Sequence, residues 1–395
     1  MTLLLDKTKR REALSGEFQR AFGGQPSVWS RAPGRVDLMG SHTDYNMGFV
    51  MTMTTDRDTW IAARPRPDGI VRVRSLNVGG ESVFSLEDVG RDAAVPWSNY
   101  VRGVAHVMQA AGYRLQGFDG LVHSTVPFGS GLSSSAAIEM ATAVLFQQVS
   151  GLALDPVEMA LLGQKAENEF VGVNTGILDQ YSSAMGRESS ALLLDCRDLT
   201  SEEVTIPTGL QVVICDTRAE RNLVGSEYDD RRAQCEQGVA ILQRRFPAIL
   251  ALRDVTLEQL AAGEGEMPTV VAKRCRFVIE ENQRVLALGP ALASGDELAL
   301  GRLFEASYLG ARDLYEIGAP SMEVMMQSMR GGPGVVAARQ AGAGFGGCMV
   351  AMVREGDVQR FCEHVEGQYF DKTGVQPHAF PVTAAQGAGP LIPLP

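Results

Sequence analysis

Residues 127–137 read Pro-Phe-Gly-Ser-Gly-Leu-Ser-Ser-Ser-Ala-Ala, and a helix-forming run, 138–149, follows directly. The start of a helix leaves backbone N–H groups unpaired and carries partial positive charge, so a glycine- and serine-rich turn there suits a phosphate chain. Gly129 and Gly131 let the backbone approach an anion closely, and the serines that follow offer hydroxyl groups. The competing interpretation is a serine that only caps a buried helix.

This turn differs from the two most familiar phosphate-binding loops. Gly-Lys-Ser/Thr occurs nowhere in the chain, which excludes a Walker A motif. The spacing Gly129-x-Gly131-x-x-Ser134 lacks the third glycine of a dinucleotide-binding fingerprint. The turn therefore predicts a phosphate site of another family.

Composition excludes several classes of partner. The chain has 395 residues, 45% of them hydrophobic and 21% charged, which is ordinary for a globular protein with one large two-lobed unit or two domains. A formal net charge of -11 argues against nucleic acid and anionic membranes as partners. The first residues lack a signal-peptide core, and no apolar run approaches membrane-spanning length.

The six scattered cysteines, without CxxC pairs, indicate reduced thiols and a cytoplasmic location. The five histidines have no metal-ligand spacing, so any metal is expected to be a hard cation bound through oxygen.

The order of predicted elements indicates an α+β protein of two lobes. Strands are predicted at Phe49–Thr54, Trp60–Pro65, Gly69–Ser75, Gly117–Ser124, Ala191–Asp195, Gln211–Asp216 and Cys348–Val353. Helices are predicted at Asn99–Ala111, Ala136–Val149, Pro156–Phe170, Tyr228–Arg245, Val270–Leu288, Leu298–Tyr315 and Ser321–Met329. A second glycine-rich turn, Gly342–Gly347, suggests backbone packed against a ligand or against the first turn.

Three other segments concentrate polar residues in apolar surroundings. The first, Ala32–Asn46, is predicted to be a loop. The second runs from Ala166 to Gln180 and contains Glu167 and Asp179, and the third is Leu223–Arg232. Each segment alone could be a solvated loop or an exposed helical face, but their coincidence with two glycine-rich turns indicates a site.

With these segments the chain resembles the sugar-kinase branch of the GHMP kinases, and within it the galactokinase family. The resemblance spans nearly the whole chain in order. Its motifs are Gly-Arg-Val-x-Leu-x-Gly-x-His-Thr-Asp-Tyr-Asn at 34–46, Trp-x-Asn-Tyr-Val-x-Gly at 97–103, Gly-Leu-Ser-Ser-Ser-Ala-Ala at 131–137, Ala-Glu…Gly-Ile-x-Asp-Gln at 166–180, Val-Gly-Ser-Glu-Tyr at 224–228 and Gly-Ala-Gly-Phe-Gly-Gly at 342–347.

The resemblance implies an N-terminal α/β lobe (1–200) and a ferredoxin-like C-terminal lobe (201–395) with the active site in the cleft between them. The implied activity is ATP-dependent phosphorylation of the anomeric (C1) hydroxyl of a galactose-configured sugar, with Mg²⁺. Small-molecule sugar and ATP are the expected partners, and the protein is expected to be a monomer or a weak homodimer.

The resemblance also implies residue roles. Asp179 takes or orients the proton of the anomeric hydroxyl, and Arg35 beside it keeps that carboxylate ionised and balances phosphoryl charge. Ser135 and Glu167 are the expected Mg²⁺ partners. ATP is expected against Trp97, Tyr100, Gly129, Ser130, Gly131, Leu132, Ser133, Ser134 and Ser135. The sugar is expected against Asp37, Ser41, His42, Asp44, Gly176, Asp179 and Tyr228.

The chain departs from the family pattern at sugar positions. Ser41 stands where the family usually has Glu, and Asp37 where it usually has Asn; Phe277 and Ser307–Asp313 also differ. The family Glu is expected to accept a hydrogen bond from the C6 hydroxyl, which the shorter Ser41 does not reach. This predicts activity on a C6-altered sugar, L-arabinose or galacturonate, that rivals the activity on galactose. The alternative is that Asp37 takes over the C6 contact and galactose remains preferred.

Two other functions compete. A galactokinase-like sensor that binds sugar and nucleotide without catalysis would lose residues from the serine turn, yet Ser133–Ala137 is complete here. A mevalonate- or homoserine-type kinase is disfavoured because the motif at 34–46 belongs to the sugar kinases.

Overall fold

The computed structural model describes residues 6–219 and 226–391. Its strands lie in two sheets, one mixed and one antiparallel. The strands are β1 (Val28–Met39), β2 (Phe49–Arg66), β3 (Ile70–Ser75), β4 (Glu81–Ser85), β5 (Gly117–Ser124), β6 (Ser190–Asp195), β7 (Thr200–Thr205), β8 (Leu210–Asp216), β9 (Val335–Gln340), β10 (Cys348–Arg354), β11 (His378–Val382) and β12 (Gly389–Pro390).

Helices cover both sheets. They are α1 (Lys7–Phe22), α2 (Ser98–Ala110), α3 (Ser134–Ser150), α4 (Pro156–Lys165), α5 (Leu178–Met185), α6 (Ser226–Gln243), α7 (Leu257–Gly263), α8 (Thr269–Ser294), α9 (Glu297–Asp313), α10 (Pro320–Arg330) and α11 (Val358–Thr373). No helix in the described ranges combines the length and apolar character needed to cross a bilayer.

The first sheet has the order β12-β1-β2-β5-β3-β4, and β6 and β7 extend it from β2. Its neighbouring strands are antiparallel except for β3 and β5, which run parallel. The apolar helix α3 packs on β1 and β2, so its N-terminus and the preceding turn lie next to β1. This contact sets the position of the glycine- and serine-rich turn.

The prediction of a loop at Ala32–Asn46 is wrong over its first half, which belongs to β1. Pro33 and Gly34 obscure the strand pattern, and the structure accommodates them at a shift in the pairing of β1 with β2. A Cβ on Gly34 would contact the backbone oxygen of Leu132, so the strand lies directly against the glycine- and serine-rich turn. The two strands predicted between 49 and 65 are one continuous strand, β2.

The predicted helix Pro156–Phe170 begins as expected but changes type before it ends. Asp155 caps it, since its carboxylate accepts from the backbone N–H of Val157 at 2.8 Å. The α-helix ends at Lys165 and continues as a π-helical segment, Ala166–Val171. Single π-turns are frequent at functional sites, and this one carries Glu167.

The second sheet has the order β11-β8-β10-β9 and is antiparallel. If β8, β9, β10 and β11 are numbered 1 to 4 in chain order, their order across the sheet is 4-1-3-2. This is the ferredoxin-like arrangement implied by the resemblance, with α9, α10 and α11 packed against the sheet. The long α8 also touches β1 and β2 of the first sheet. One hydrophobic cluster contains residues of both sheets, for example Val36 and Met51 with Ile214 and Val350.

Candidate active site

The turn before α3 has the backbone geometry that an anion cradle needs. Gly129 and Gly131 have φ values of 68° and 85°, and Ser133 is left-handed with φ 58°. Ser133 precedes the helix without a side-chain cap bond, and its hydroxyl oxygen is buried without a hydrogen-bond partner among the described residues. An unpartnered hydroxyl beside unpaired helix N–H groups is what an absent anion would leave.

Two cavities meet at this turn. The smaller, about 220 Å³, is mostly apolar and is lined by Trp97, Phe128 and Ile138 among others. The larger, about 670 Å³, holds most of the predicted sugar and catalytic residues. Tyr100, Ser134 and Ser135 line both, so the cavities adjoin at the N-terminus of α3.

Three of the predicted site residues line neither cavity. Leu132 is fully buried in the core, and the Ser130 hydroxyl donates to the Pro127 carbonyl at 2.9 Å. Any contact of these two with phosphate would therefore come from their backbone. Glu167 lies behind the cavity wall, 3% exposed, where the Ser135 hydroxyl donates to its carboxylate.

Arg35 and Asp179 form the central ion pair of the larger cavity. The Arg35 side chain projects from β1, and Asp179 lies in the first turn of α5. The Nε and Nη2 atoms of Arg35 donate to Oδ1 of Asp179 at 2.9 and 2.5 Å. The third nitrogen, Nη1, donates to the carbonyl of Gly131 at 2.6 Å. The guanidinium is thus fixed between the phosphate turn and the carboxylate.

Behind Ser135 lies a cluster of buried acids. The Gln180 amide donates to Glu139 at 2.9 Å and to Glu167 at 2.7 Å, and Thr175 donates to Glu167 at 2.9 Å. Burial, and then the charge of Asp179, raise the pKa of Glu167; burial and the charge of Glu167 raise the pKa of Glu139. Sequence reasoning missed Glu139, although an acid one turn after Ser135 on an apolar helix was a signal for it.

This donor set fits a hard cation that shares its ligands with phosphate. Ser135 and Glu167 provide a hydroxyl and a carboxylate oxygen, and the accumulated negative charge would be relieved by a divalent ion. No group of three or more His, Cys, Asp or Glu side chains in the described ranges is arranged to hold a metal alone. Such an ion would therefore depend on the nucleotide for its remaining ligands.

The polar wall of the larger cavity brings together Asp44, Gly176 and Tyr228. Burial, followed by the charge of Asp179, raises the pKa of the Asp44 carboxyl to about 6, while the backbone N–H groups of Tyr45 and Leu178 act in the opposite direction. Burial raises the pKa of the Tyr228 hydroxyl, and the Gly176 N–H acts in the opposite direction. A Cβ on Gly176 would overlap the Asp44 carboxylate, so glycine is required for this close approach.

His42 lines the cavity, but both of its ring nitrogens are bonded to protein. Nε2 lies 2.9 Å from the Ala343 carbonyl and must donate, so Nδ1, 2.8 Å from the Tyr45 hydroxyl, accepts. The Tyr45 hydroxyl in turn lies 2.8 Å from that of Tyr315. Burial lowers the pKa of His42 to about 4, so the ring is neutral near pH 7. Its role visible in the structure is to join the wall of the larger cavity to the second glycine-rich turn.

Asp37 and Ser41 lie in a buried ionic network in the same wall. The Ser41 hydroxyl donates to Asp37 Oδ2 at 2.5 Å and accepts from Arg339 Nη2 at 2.9 Å. Arg339, absent from the residues predicted for the site, reaches this point from β9 and is fully buried. Nothing in the sequence near Arg339 signalled its role, because the contact joins segments about 300 residues apart.

The second glycine-rich turn closes the cavity from the other lobe. Gly342, Ala343, Gly344 and Phe345 line the cavity. A Cβ on Gly342 would lie 3.3 Å from the Gly131 carbonyl, and the Cys348 N–H donates to the Ser130 carbonyl at 3.0 Å. The two turns therefore pack on each other as the sequence suggested. Of the third polar segment, 223–232, the part from 223 to 225 lies outside the described residues.

Comparison with known proteins agrees with this geometry. A family model described as "GHMP kinases N terminal domain" matches residues 99–187, which contain the serine turn, Glu167 and Asp179. Another, described as "Galactokinase galactose-binding signature", matches residues 16–65, which contain Arg35, Asp37 and Asp44.

Full-length relatives and solved structures extend the match. The chain is 43% identical over 389 residues to a galactokinase of Roseiflexus sp. (strain RS-1), covering 98% of each chain. It is 44% identical over 372 residues to a galactokinase of Chloroflexus aggregans, covering 94% of this chain and 95% of the relative. The crystal structure of Lactococcus lactis galactokinase complexed with galactose matches with a TM-score of 0.91 at 32% identity, covering 95% of this chain and 98% of that one. A mevalonate kinase structure at 15% identity, with a TM-score of 0.62, shares the fold. This chain therefore belongs to the galactokinase family of the GHMP kinases.

Proposed function

We propose that this protein transfers the γ-phosphoryl group of ATP to the C1 hydroxyl of galactose, giving galactose 1-phosphate and ADP. The observation that carries the proposal is the Arg35–Asp179 pair, which joins the phosphate turn to the polar cavity through the bond from Arg35 to Gly131. Phosphoryl transfer passes through a loose transition state, so alignment and electrostatics supply most of the catalysis. A carboxylate and a guanidinium held in the polar cavity beside the glycine- and serine-rich turn are suited to both tasks.

In the proposed reaction Asp179 accepts a hydrogen bond from the C1 hydroxyl and takes its proton as the bond from that oxygen to phosphorus forms. The bond from phosphorus to the bridging oxygen breaks at the same time, and ADP leaves with that oxygen. Arg35 holds the Asp179 carboxylate in place through two hydrogen bonds and faces the negative charge of the transferred group. General-base assistance of this kind contributes about 10²–10⁴-fold.

The nucleotide is assigned to the smaller cavity and the serine turn. The base would lie in the apolar cavity with Trp97 and Tyr100, and the phosphates would take the unpaired N–H groups at the start of α3 together with the Ser133 hydroxyl. Ser135 and Glu167 would hold Mg²⁺ jointly with the phosphates. Bound there, the ion would offset the negative charge of the phosphate oxygens.

The sugar is assigned to the larger cavity. Asp44, Tyr228 and the Gly176 backbone offer a carboxylate, a phenol and an amide close to Asp179. The relatives' names favour galactose, and they give no support to L-arabinose or galacturonate, the substrates that Ser41 alone suggested.

A coupled assay of ADP release tests the proposal with a panel of galactose, L-arabinose, galacturonate, galactosamine and glucose. We expect ATP- and galactose-dependent ADP release, with the product identified by ³¹P NMR as the 1-phosphate. Hydrolysis of ATP without sugar is the background control. Binding of galactose and ATP without turnover would favour the non-catalytic sensor and overturn the proposal, and so would preferred turnover of a sugar other than galactose.

A further inference from the structure

One oxygen of a buried carboxylate in the sugar cavity has no hydrogen-bond donor. Asp37 is fully buried, and its Oδ2 accepts from Ser41 at 2.5 Å. Its Oδ1 has no hydrogen-bond partner among the described residues. Nη1 of Arg339 lies 3.6 Å from Oδ1, which is an ion-pair distance and too long for a hydrogen bond.

Each nitrogen of Arg339 already donates to another acceptor. Nε donates to the Ser307 hydroxyl at 3.0 Å, Nη2 to Ser41 at 2.9 Å and Nη1 to the Asp37 carbonyl at 3.3 Å. Glu281, 3.6 Å from Nη2, shares the charge of the same guanidinium. A buried acceptor left without a donor is costly, so such an oxygen in a ligand cavity points to a donor supplied by the ligand.

The position of Asp37 shows which end of the ligand it faces. Asp37 lines the same cavity as Arg35 and Asp44. It follows Arg35 by two residues on β1, so both side chains leave the same face of the strand, about 6.6 Å apart along it. That separation is comparable to the span of a hexose from its anomeric oxygen to the hydroxyls at its far end. With C1 at the Arg35–Asp179 pair, Asp37 faces a hydroxyl remote from the reacting carbon.

We propose that Oδ1 of Asp37 accepts the hydrogen bond of the sugar's C6 hydroxyl and is the specificity-determining residue for that group. The inference rests on the proposed function. Ring hydroxyls are held within one bond of the ring, whereas the C6 hydroxyl extends one carbon further and rotates, so it can reach a recessed acceptor. The short Ser41 side chain lines the same cavity and holds the other carboxylate oxygen, Oδ2, in place.

This assignment of Asp37 contradicts the prediction, made from Ser41 alone, that a C6-altered sugar rivals galactose as substrate. The acidic side chain at this end of the cavity is Asp37, whereas the family usually has its acid, a Glu, at the position of Ser41. Sugars without a C6 hydroxyl would leave the buried carboxylate oxygen unpaired, and galacturonate would place a second carboxylate beside it. The network therefore selects for galactose and against both C6-altered sugars.

The test compares kcat/KM for galactose and 6-deoxygalactose in the wild type and in Asp37→Asn, which keeps the shape of the side chain. We expect the wild type to prefer galactose by at least about tenfold, as for a hydrogen bond to a charged group. In the variant this preference should fall to within about threefold, while activity on 6-deoxygalactose is unchanged or improved. Asp119→Asn is the matched control, because Asp119 is also a buried, arginine-paired acid but lies outside the cavity. It should leave the sugar preference as in the wild type.

Three results would overturn the inference. Equal losses on both sugars in Asp37→Asn would mean a structural role only. If Asp37→Asn instead removes the preference for galactose over 2-, 3- or 4-deoxygalactose, Asp37 contacts the hydroxyl at that position. A wild type that uses both sugars within threefold would overturn it even if the variant does not fold. Failure of the wild type to phosphorylate galactose at all would instead refute the proposed function.

Discussion

At the scale of single residues, Arg35 and Asp179 are bonded so closely that they should act as one unit. Asp179→Asn keeps the shape but removes the negative charge, so we expect kcat to fall by at least about 10²-fold with sugar and ATP binding largely retained. Arg35→Ala should cause a similar loss, and the double variant should lose far less than the product of the two. Steady-state kinetics and calorimetric binding of both ligands measure these effects.

The control for this pair is Asp198→Asn, an exposed acid outside both cavities, which should behave as the wild type. Turnover by Asp179→Asn at the wild-type rate would contradict the role given to the carboxylate. Multiplicative losses in the double variant would show that the two side chains act independently.

Ser135 and Glu167 allow a second prediction, on the dependence of activity on Mg²⁺. Ser135→Ala and Glu167→Gln should each raise the Mg²⁺ concentration required for half-maximal activity and lower kcat, because each removes or weakens an oxygen ligand beside the phosphates. Titration of activity against Mg²⁺ at fixed ATP measures the shift.

The competing interpretation of Ser135, a helix cap, is weakened by the structure, in which Ser133 occupies the cap position. If Ser135 were only a helix cap, Ser135→Ala would lower the free energy of unfolding by about 1 kcal/mol and leave the Mg²⁺ dependence of activity unchanged. Ser150→Ala, at the far end of the same helix, is the matched control. Within the described residues its hydroxyl accepts one hydrogen bond, from the backbone N–H of Gln116 at 2.9 Å. Its Mg²⁺ titration should coincide with that of the wild type.

The raised pKa of Asp44 leads to a third prediction, on the pH dependence of sugar binding. Because its pKa is raised to about 6, the carboxylate is ionised above that pH and gains a proton as the pH falls through it. If the ionised form accepts hydrogen bonds from sugar hydroxyls, galactose affinity should be constant from pH 7 to 8 and should weaken between pH 6.5 and 5. His42, with its pKa near 4, stays neutral over this range and adds nothing to the change.

Calorimetric titration of galactose at several pH values measures this dependence. Asp44→Asn should bind galactose weakly at every pH and lose the dependence between 6.5 and 5. An affinity of the wild type that does not change in that interval would contradict the assignment.

At the scale of elements, the close approach of the segment before α5 to the turn after β1 depends on Gly176. Gly176→Ala would push a methyl group into the Asp44 carboxylate, so we expect the KM for galactose to rise by at least about tenfold with the KM for ATP nearly unchanged. Gly16→Ala in α1, where an added Cβ meets nothing within 4 Å, is the matched control. Equal changes in both KM values would indicate general disruption of the cleft.

Elements with a strong local signal could be predicted from the sequence, and those fixed by distant contacts could not. The Asp155 cap and Pro156 gave the start of α4, and the strand β5 was predicted with the bounds it has. Pro33 and Gly34 concealed β1, since its strand character comes from pairing with β2 on one side and β12 on the other. The π-helical turn at Glu167 has no recognised sequence signal.

The same distinction applies to the site. Motifs in continuous segments pointed to Arg35, Asp44 and Asp179, which the structure brings together in one cavity. Arg339 and Glu281 were missed because their contacts form only in the folded chain: Arg339 on β9 meets Ser41, and Glu281 on α8 meets Arg339 and the Gly40 N–H. Long-range buried networks leave little trace in a single sequence, since an arginine on a strand has no local feature that marks it as buried.

At the scale of the whole molecule, the cleft is built from both lobes and should couple their stabilities. Arg35 and Asp179 come from the first lobe, and Tyr228 and Ala343 from the second, while a shared hydrophobic cluster joins the two sheets beneath them. Ligands that contact both walls should therefore stabilise the molecule as one unit. A ligand at 100 times its Kd adds about 2.7 kcal/mol to the free energy of unfolding.

We accordingly expect galactose to raise the midpoint of thermal unfolding and to keep a single transition, with both lobes melting together. Differential scanning calorimetry with increasing galactose measures the shift, and glucose at the same concentrations is the control for non-specific sugar effects. Gly176→Ala should show a smaller shift at each galactose concentration, because its weaker binding lowers the ratio of ligand to Kd. Two separate transitions, only one of them moved by galactose, would mean that the sugar contacts a single lobe and that the cleft does not couple them.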